Sequence, residues 1–513
     1  MAVHVPEYGE DEELELGVFE TNATIQRPIQ RNPVGSFIAI ALGFSGLQLV
    51  FAMVFSHGSA FLNNLHFSKP IIALIWLSGP LCGATLQPYL GICSDQHRSR
   101  FGKRRPFIVC GAILIILALL TLAWCEDIGP AVASSLAFNS AESQRWALTL
   151  TAIFSVFALN VGIQPLQCGL RALIVDICPE GQHDTASAWV GRFVSAANIL
   201  SYLTGYIDLA QWVPNLGGTQ FRILCVITSL TLSITVGLLC FTVRESIPDV
   251  HDETAYPSQE TVSQKLWYLC TSFPRLPDQV RRVCWVQLFA WMGWFPYLYY
   301  IAMYIGVVYQ EGYSSSSTRA NTSLEALNDE AVRMGSFGLL IFAIVSLLGG
   351  AIFPIVLRYC DGNTERYTKE RRTGVLAGAR VLWMLSHVLF ASCMWLTLAF
   401  PSLWGTYTLV GLSGLSWSVT IWIPFAVVGT AINADTCRAR PHEIHGIEKR
   451  PGIVLSLHNV AIAAPQVAAA AGSSLILWAL DGGEGEWSAS SIGWTLRLAT
   501  LSTLVAAVLV VKV

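Results

Sequence analysis

The chain has 513 residues, of which 53% are hydrophobic and only 13% charged, with a formal net charge of −3 and a mean hydropathy of +0.52. Soluble domains carry about 25% charged residues, so the deficit points to a lipid-facing surface and away from an ordinary soluble enzyme. The basic residues sit in separated loops rather than on one face, which argues against a nucleic-acid partner.

Residues 1–33 contain the acidic run Glu10, Asp11, Glu12 and Glu13 and no apolar core. That is the opposite of a secretory signal, and it predicts a solvated, disordered tail. Reading onward with roughly 20 apolar residues per crossing gives twelve expected spans. They are 34–56, 70–92, 107–125, 147–174, 189–212, 222–243, 283–309, 333–357, 378–400, 403–430, 452–479 and 491–511. The polar, proline-containing segment 244–282 divides them into halves at 34–243 and 283–513. The fold class expected is all-α and membrane-integral, with both termini cytosolic. On that topology 24 of the 31 Lys and Arg lie in or at the ends of the inside segments. Outside lie Lys69, Arg145, Arg222, Arg319, Arg333 and Arg497, and the bias follows the positive-inside rule. The sequon at Asn321 falls in an outside loop, where a glycan could be attached. The 13 cysteines are scattered without a C-x-x-C pair, and read as small buried hydrophobes. The insert 431–451, with Cys437, His442 and His445, reads as a solvated loop, so no metal site is expected.

The loop after span 2 reads "SDQHRSRFGKRR" (94–105), and a shift of 266 residues lays it over "CDGNTERYTKER" (360–371) without a gap. Asp95 meets Asp361, Arg100 meets Arg366, and Arg105 meets Arg371. Parallel six-span halves of this kind are the plan of major-facilitator transporters. An Asp ending one helix and cations beginning the next can pair and part as two halves rock. Asp95, Arg100, Arg104, Arg105, Asp361 and Arg366 are therefore candidate gate residues. The alternative is that the cations fix topology and hold anionic headgroups.

Span 4 carries Asn160, Gln164, Gln167 and Arg171 at helical steps that confine them to an arc of about 60°. An Arg within a span costs on the order of 3 kcal/mol, so it should face a partner or a cavity. Amides and a guanidinium suit a neutral polyhydroxylated ligand; an interhelical polar seam is the competing reading. Gln48, Gln87, Asn198, Gln287, His458 and Asn459 add polar groups in other spans. Trp291, Trp294, Trp417 and Trp422 add flat apolar faces, and His387 reads as a packing histidine.

With these residues on the page, the chain resembles the sucrose and α-glucoside proton symporters of the glycoside–pentoside–hexuronide group, in the major facilitator superfamily. The resemblance covers most of the chain. It is carried by "IWLSGPLCGATLQPYLGICSDQHRSRFGKRRPF" (75–107), "GLRALIVD" (169–176), "LPDQVRRVCWVQLFAWMGWFPYLYY" (276–300), "DEAVRMGSFGLL" (329–340) and "GIVLSLHNVAIAAPQV" (452–467), the last most like the fungal branch. It implies disaccharide import driven by a proton gradient, with no other cofactor. Two departures stand out. Plant members place an Asp eleven residues before the Arg of span 4, where this chain has Asn160, and span 7 here continues "FPYLYYIAMY" without an acid. The acids left for coupling are Asp176, Asp329, Glu330 and Asp208, and Asp176 reads better as part of the cytosolic gate.

The expected substrate set is therefore Arg171, Asn160, Gln164, Gln167, Gln48, Gln287, Trp294, His458 and Asn459, binding a sugar such as sucrose or maltose. A uniporter and a non-transporting sugar sensor are the alternatives. A plasma membrane location is expected, with a vacuolar one as the alternative; the oligomeric state, monomer included, stays open.

Overall fold

The computed structural model describes residues 33–97, 99–177, 183–243, 245, 267, 271, 273–314, 324–360, 369–438, 451–481 and 488–513. The tail through residue 32, most of the segment 244–282, Asn321, Asp361, Arg366 and the side chain of Asp95 lie outside the described residues.

Among the described residues the protein is helical, with no strand. The first half comprises α1 (Pro33–Met53), a π-turn (Val54–Gly58), α2 (Ser59–Asn64), α3 (Lys69–Ile75), α4 (Ser78–Gln96), α5 (Arg105–Ala123), α6 (Cys125–Ser135), α7 (Ala141–Ile177), α8 (His183–Tyr206), α9 (Leu209–Trp212) and α10 (Gln220–Thr242). The second half comprises α11 (Asp278–Ser314), α12 (Leu324–Cys360), α13 (Lys369–Leu396), α14 (Leu403–Thr420), α15 (Ile423–Arg438), α16 (Pro451–Asp481) and α17 (Ala489–Val510). Ten segments among the described residues are long and apolar enough to cross a membrane. The long helices α8 and α11 stand where spans 5 and 7 are expected and are not among those ten. The protein is a multi-pass integral membrane protein.

Expected and observed starts part most at spans 8 and 9, whose helices begin nine residues early, at Leu324 and Lys369; at span 5 the whole helix is displaced, beginning at His183 and ending at Tyr206, about six residues ahead of the apolar run. The chain turns at Asp208, which leads into the short α9, and α9 ends ahead of Pro214. At three helix starts on one end of the bundle a hydroxyl caps the chain. Ser402 Oγ accepts from Gly405 N at 3.1 Å, Ser488 Oγ from Ser491 N at 3.1 Å, and Thr219 Oγ1 from Arg222 N at 3.4 Å. Each such cap contributes about 1 kcal/mol.

Lipid provides no hydrophobic drive for helix to meet helix, so close backbone packing matters more. The α5–α7 crossing shows this: a Cβ on Gly111 would lie 2.7 Å from the carbonyl oxygen of Gly162. Only glycine permits that approach. The same geometry turns α7. Its Leu150, Ile153, Phe154 and Phe157 are exposed, as lipid-facing residues should be, while Asn160 and Gln164 are buried. Between the halves, α8 packs on α12, α3 and α4 pack on α16, and the π-turn packs on α11 and α12.

Candidate functional site

Asn160 is buried in the middle of α7. Its Nδ2 donates to Ser78 Oγ and to the Val156 carbonyl, both at 2.9 Å, which ties α7 to the start of α4. One turn on, Gln164 Nε2 donates to the Asn160 carbonyl at 3.0 Å. Its Oε1 is buried and has no hydrogen-bond partner among the described residues. A Cβ on Gly83 of α4 would sit 3.9 Å from that oxygen and 3.4 Å from Ala463 Cβ of α16. The free acceptor therefore lies at the seam between the halves. Gln167 is half-buried.

Arg171, near the end of α7, is solvent-exposed. Its Nη1 donates to Asn459 Oδ1 of α16 at 3.2 Å, and Asn459 Nδ2 donates to Gln87 Oε1 of α4 at 2.9 Å. An amide from the second half is thus held between two residues of the first. The neighbouring His458 is buried, with its ring edge-on to Phe425 at 5.0 Å and Nε2 without a partner among the described residues.

Other expected site residues lie elsewhere. Gln48 Nε2 donates to Asn198 Oδ1 at 2.8 Å, joining α1 to α8. Gln287 and Trp294 are fully buried in the second half. Trp294 stacks on Phe390 at 3.8 Å and meets Trp417 edge-on at 5.0 Å. Neither amide atom of Gln287, nor Nε1 of Trp291 or Trp294, has a partner among the described residues. No described hydrogen bond links this aromatic cluster to the α7 face. A cleft of about 770 Å³ lies elsewhere again, lined by Tyr304, Thr397, Trp494 and Arg497.

The end of the bundle where α1 begins holds the basic loop 97–104, here called the basic end. Arg104 Nε donates to Asp176 Oδ2 at 2.7 Å and its Nη1 to Ser94 Oγ at 2.8 Å. Asp176 therefore pairs with the basic loop and not with the stripe that ends five residues before it. Glu245, just past α10, is a residue the sequence reading missed. Its Oε2 accepts from Lys103 N and Arg104 N, at 2.5 and 2.7 Å, and its Oε1 from Arg105 N at 2.9 Å. The carboxylate thus caps the start of α5, where free N–H groups favour an anion. Gly102, at φ +108°, makes the turn, and a Cβ there would lie 2.8 Å from Glu245 Cδ. An acid soon after span 6 was the visible signal, but nothing local tied it to a loop some 140 residues earlier. Arg105 Nε lies 4.0 Å from Glu245 Oε1, and Arg100 stacks on the neighbouring Phe101 ring at 4.9 Å.

The opposite end of the bundle joins the halves directly. Asp208, just past α8, forms an ion pair with Arg333 of α12. Ser59 Oγ donates to the Tyr299 carbonyl at 3.0 Å, and Ser474 Oγ to the Pro70 carbonyl at 3.2 Å. Asp329 is exposed and Glu330 half-buried on α12. Among the described residues no group of three or more His, Cys, Asp or Glu could hold a metal ion.

The α7 polar face, buried at Asn160 and Gln164, thus runs along the α4–α7–α16 seam, with ion pairs toward each end of the bundle. The family model of the Major Facilitator Superfamily matches residues 36–436, and the chain belongs to that family. It is 30% identical to the general alpha-glucoside permease of Schizosaccharomyces pombe, over 92% of each chain. It is 27% identical to the sucrose transport protein SUT2 of Oryza sativa subsp. japonica, over 87% of each. Among solved structures, a bacterial homologue of the human drug peptide transporters PepT1 and PepT2 matches with a TM-score of 0.59 at 10% identity, covering 94% of this chain and 98% of that one. The xylose transporter XylE of E. coli matches with a TM-score of 0.55 at 12% identity, covering 93% and 98%. These two likenesses concern the fold.

Proposed function

We propose that this protein imports a disaccharide of the α-glucoside class, such as sucrose or maltose, across the plasma membrane by alternating access and in symport with protons. The observation that carries the reading is the bridge Arg171–Asn459–Gln87, which spans the halves at the foot of the α7 polar face. A sugar hydroxyl can replace each of these contacts, and the Gln164 Oε1 acceptor adds another. The names of the relatives, an alpha-glucoside permease and sucrose transport proteins, support the same substrate class. In this reading α8 and α11 also cross the bilayer, which makes twelve crossings, and the basic end is cytosolic. Contacts between the halves close the far end, as in an inward-facing carrier.

Asn160 favours a second reading, uncoupled transport. Its amide serves Ser78 and Val156 and cannot take the place of a titrating acid. Uptake of labelled sucrose and maltose in a transport-deficient cell, with and without a protonophore, tests both. Symport requires uptake that the protonophore abolishes; uptake insensitive to it leaves the uniporter, and no uptake of either sugar refutes the substrate class.

A further inference from the structure

We propose that the cleft between α11, α17 and the α13–α14 turn is a second sugar-binding site, apart from the α7 seam. Its volume of about 770 Å³ lies within the range of small-molecule sites, about 300–1,000 Å³. Its lining falls within 304–313, 397–403 and 489–497, so it belongs to the second half alone. α13 ends and α14 and α17 begin beside it, which places it at the far end of the bundle.

Arg497 stands in its wall and is buried, at 4% exposure. Its Nε and Nη2 donate to Thr397 Oγ1 at 3.1 and 2.9 Å, and that hydroxyl donates onward to the Met394 carbonyl at 2.6 Å. A hydroxyl supplies no countercharge, and Arg497 forms no ion pair among the described residues. Buried cations are ordinarily paired, so a guanidinium held this way beside a cleft is placed to meet a ligand. Gly493, one turn earlier, makes the placement possible. A Cβ there would lie 2.9 Å from Nη1 and 3.1 Å from Cζ of Arg497. The guanidinium therefore lies back along α17, toward the helix start. The Trp494 ring, 5.5 Å from Cζ, covers it, and Trp494 is itself held edge-on to Trp395 at 6.1 Å.

The walls select the class of ligand. Glu311 is exposed, and its Oε1 accepts from Ala489 N at 2.9 Å, which ties the end of α11 to the start of α17. A carboxylate and a guanidinium in one lining give the cleft no single sign of charge, which disfavours an anion. Tyr304 and Trp494 add aromatic surface. A neutral sugar fits that set. Its hydroxyls accept from Arg497 and donate to Glu311, and its C–H faces lie on the rings.

This inference takes the sugar class from the function proposed above but not the route through the seam. Hydrogen exchange of the full chain in lipid nanodiscs is followed in the peptide 397–405, with maltose, sucrose or succinate and without. At about 20 mM sugar, a site with a Kd of about 10 mM or lower slows exchange at least about threefold. That slowing is expected in wild type with at least one sugar, is expected to persist in Arg171→Ala, and is expected to vanish in Arg497→Gln. No slowing with either sugar, slowing by succinate instead, loss of the effect in Arg171→Ala, or its persistence in Arg497→Gln overturns the proposal. Should Arg497→Gln fail to fold, Trp494→Leu takes its place, and an undiminished effect there overturns the proposal equally. Failed counterflow of both sugars beside a protected cleft counts against transport through the seam alone. Active counterflow beside an unprotected cleft counts against this site alone.

Discussion

Replacing Glu245 with Gln removes the charge that organises the basic loop and keeps the side chain's shape. The carboxylate accepts three backbone N–H groups, from Lys103, Arg104 and Arg105. Glutamine offers one acceptor oxygen, so at least one of these donors is left facing an NH2 group. An orphaned buried donor costs about 1–3 kcal/mol, and loss of an anion at a helix start adds about 0.3–1 kcal/mol. The expected loss is about 1.3–4 kcal/mol. For a half of roughly 200 residues, 1 kcal/mol moves the melting temperature by about 2–4 °C. Purified Glu245→Gln should therefore melt at least about 3 °C below wild type, with Glu245→Ala lower still. A Glu245→Gln protein that melts within 1 °C of wild type refutes the reasoning, because the three N–H groups would then have other acceptors.

Arg171→Ala removes a charged donor in the seam; at about 1.5–3 kcal/mol for such a hydrogen bond, sugar affinity should fall roughly 10- to 150-fold by equilibrium binding while surface expression persists. Asp208→Asn should weaken closure of the far end, seen as faster modification of residues in the α8–α12 seam by an impermeant reagent; unchanged labelling would deny the ion pair its role there. Asn160→Asp places a carboxylate where plant relatives carry one, and should increase the dependence of uptake on external pH. Gly111→Val forces α5 from α7, since even a Cβ meets the Gly162 carbonyl at 2.7 Å, and should abolish a monodisperse gel-filtration peak.

Much of this architecture was legible because bilayer thickness and helical period act locally along the chain. The apolar runs located the helices, with starts off by up to nine residues, and the steps from Asn160 to Arg171 placed both on one face of α7. Hydropathy measures depth and not hydrogen bonding, which is why span 5 was expected six residues late. The partners were another matter. Ser78 is 82 residues from Asn160, Asn459 is 288 from Arg171, and Gln87 is 372 from Asn459. Helix packing decides such pairs, and no periodicity encodes it. For Gln287 and Trp294, expected in the substrate set, the pattern likewise gave no partners; Trp294 packs in a buried aromatic cluster within the second half.

The central claim is that a sugar is carried through the seam crossed by Arg171. Counterflow of labelled sucrose and maltose into proteoliposomes of the purified protein tests it with no cellular metabolism in the way. Accumulation of one of these sugars in wild-type vesicles, at least tenfold reduced by Arg171→Ala, is the predicted result. Equal counterflow in the two proteins, or none of either sugar in wild type, would contradict it.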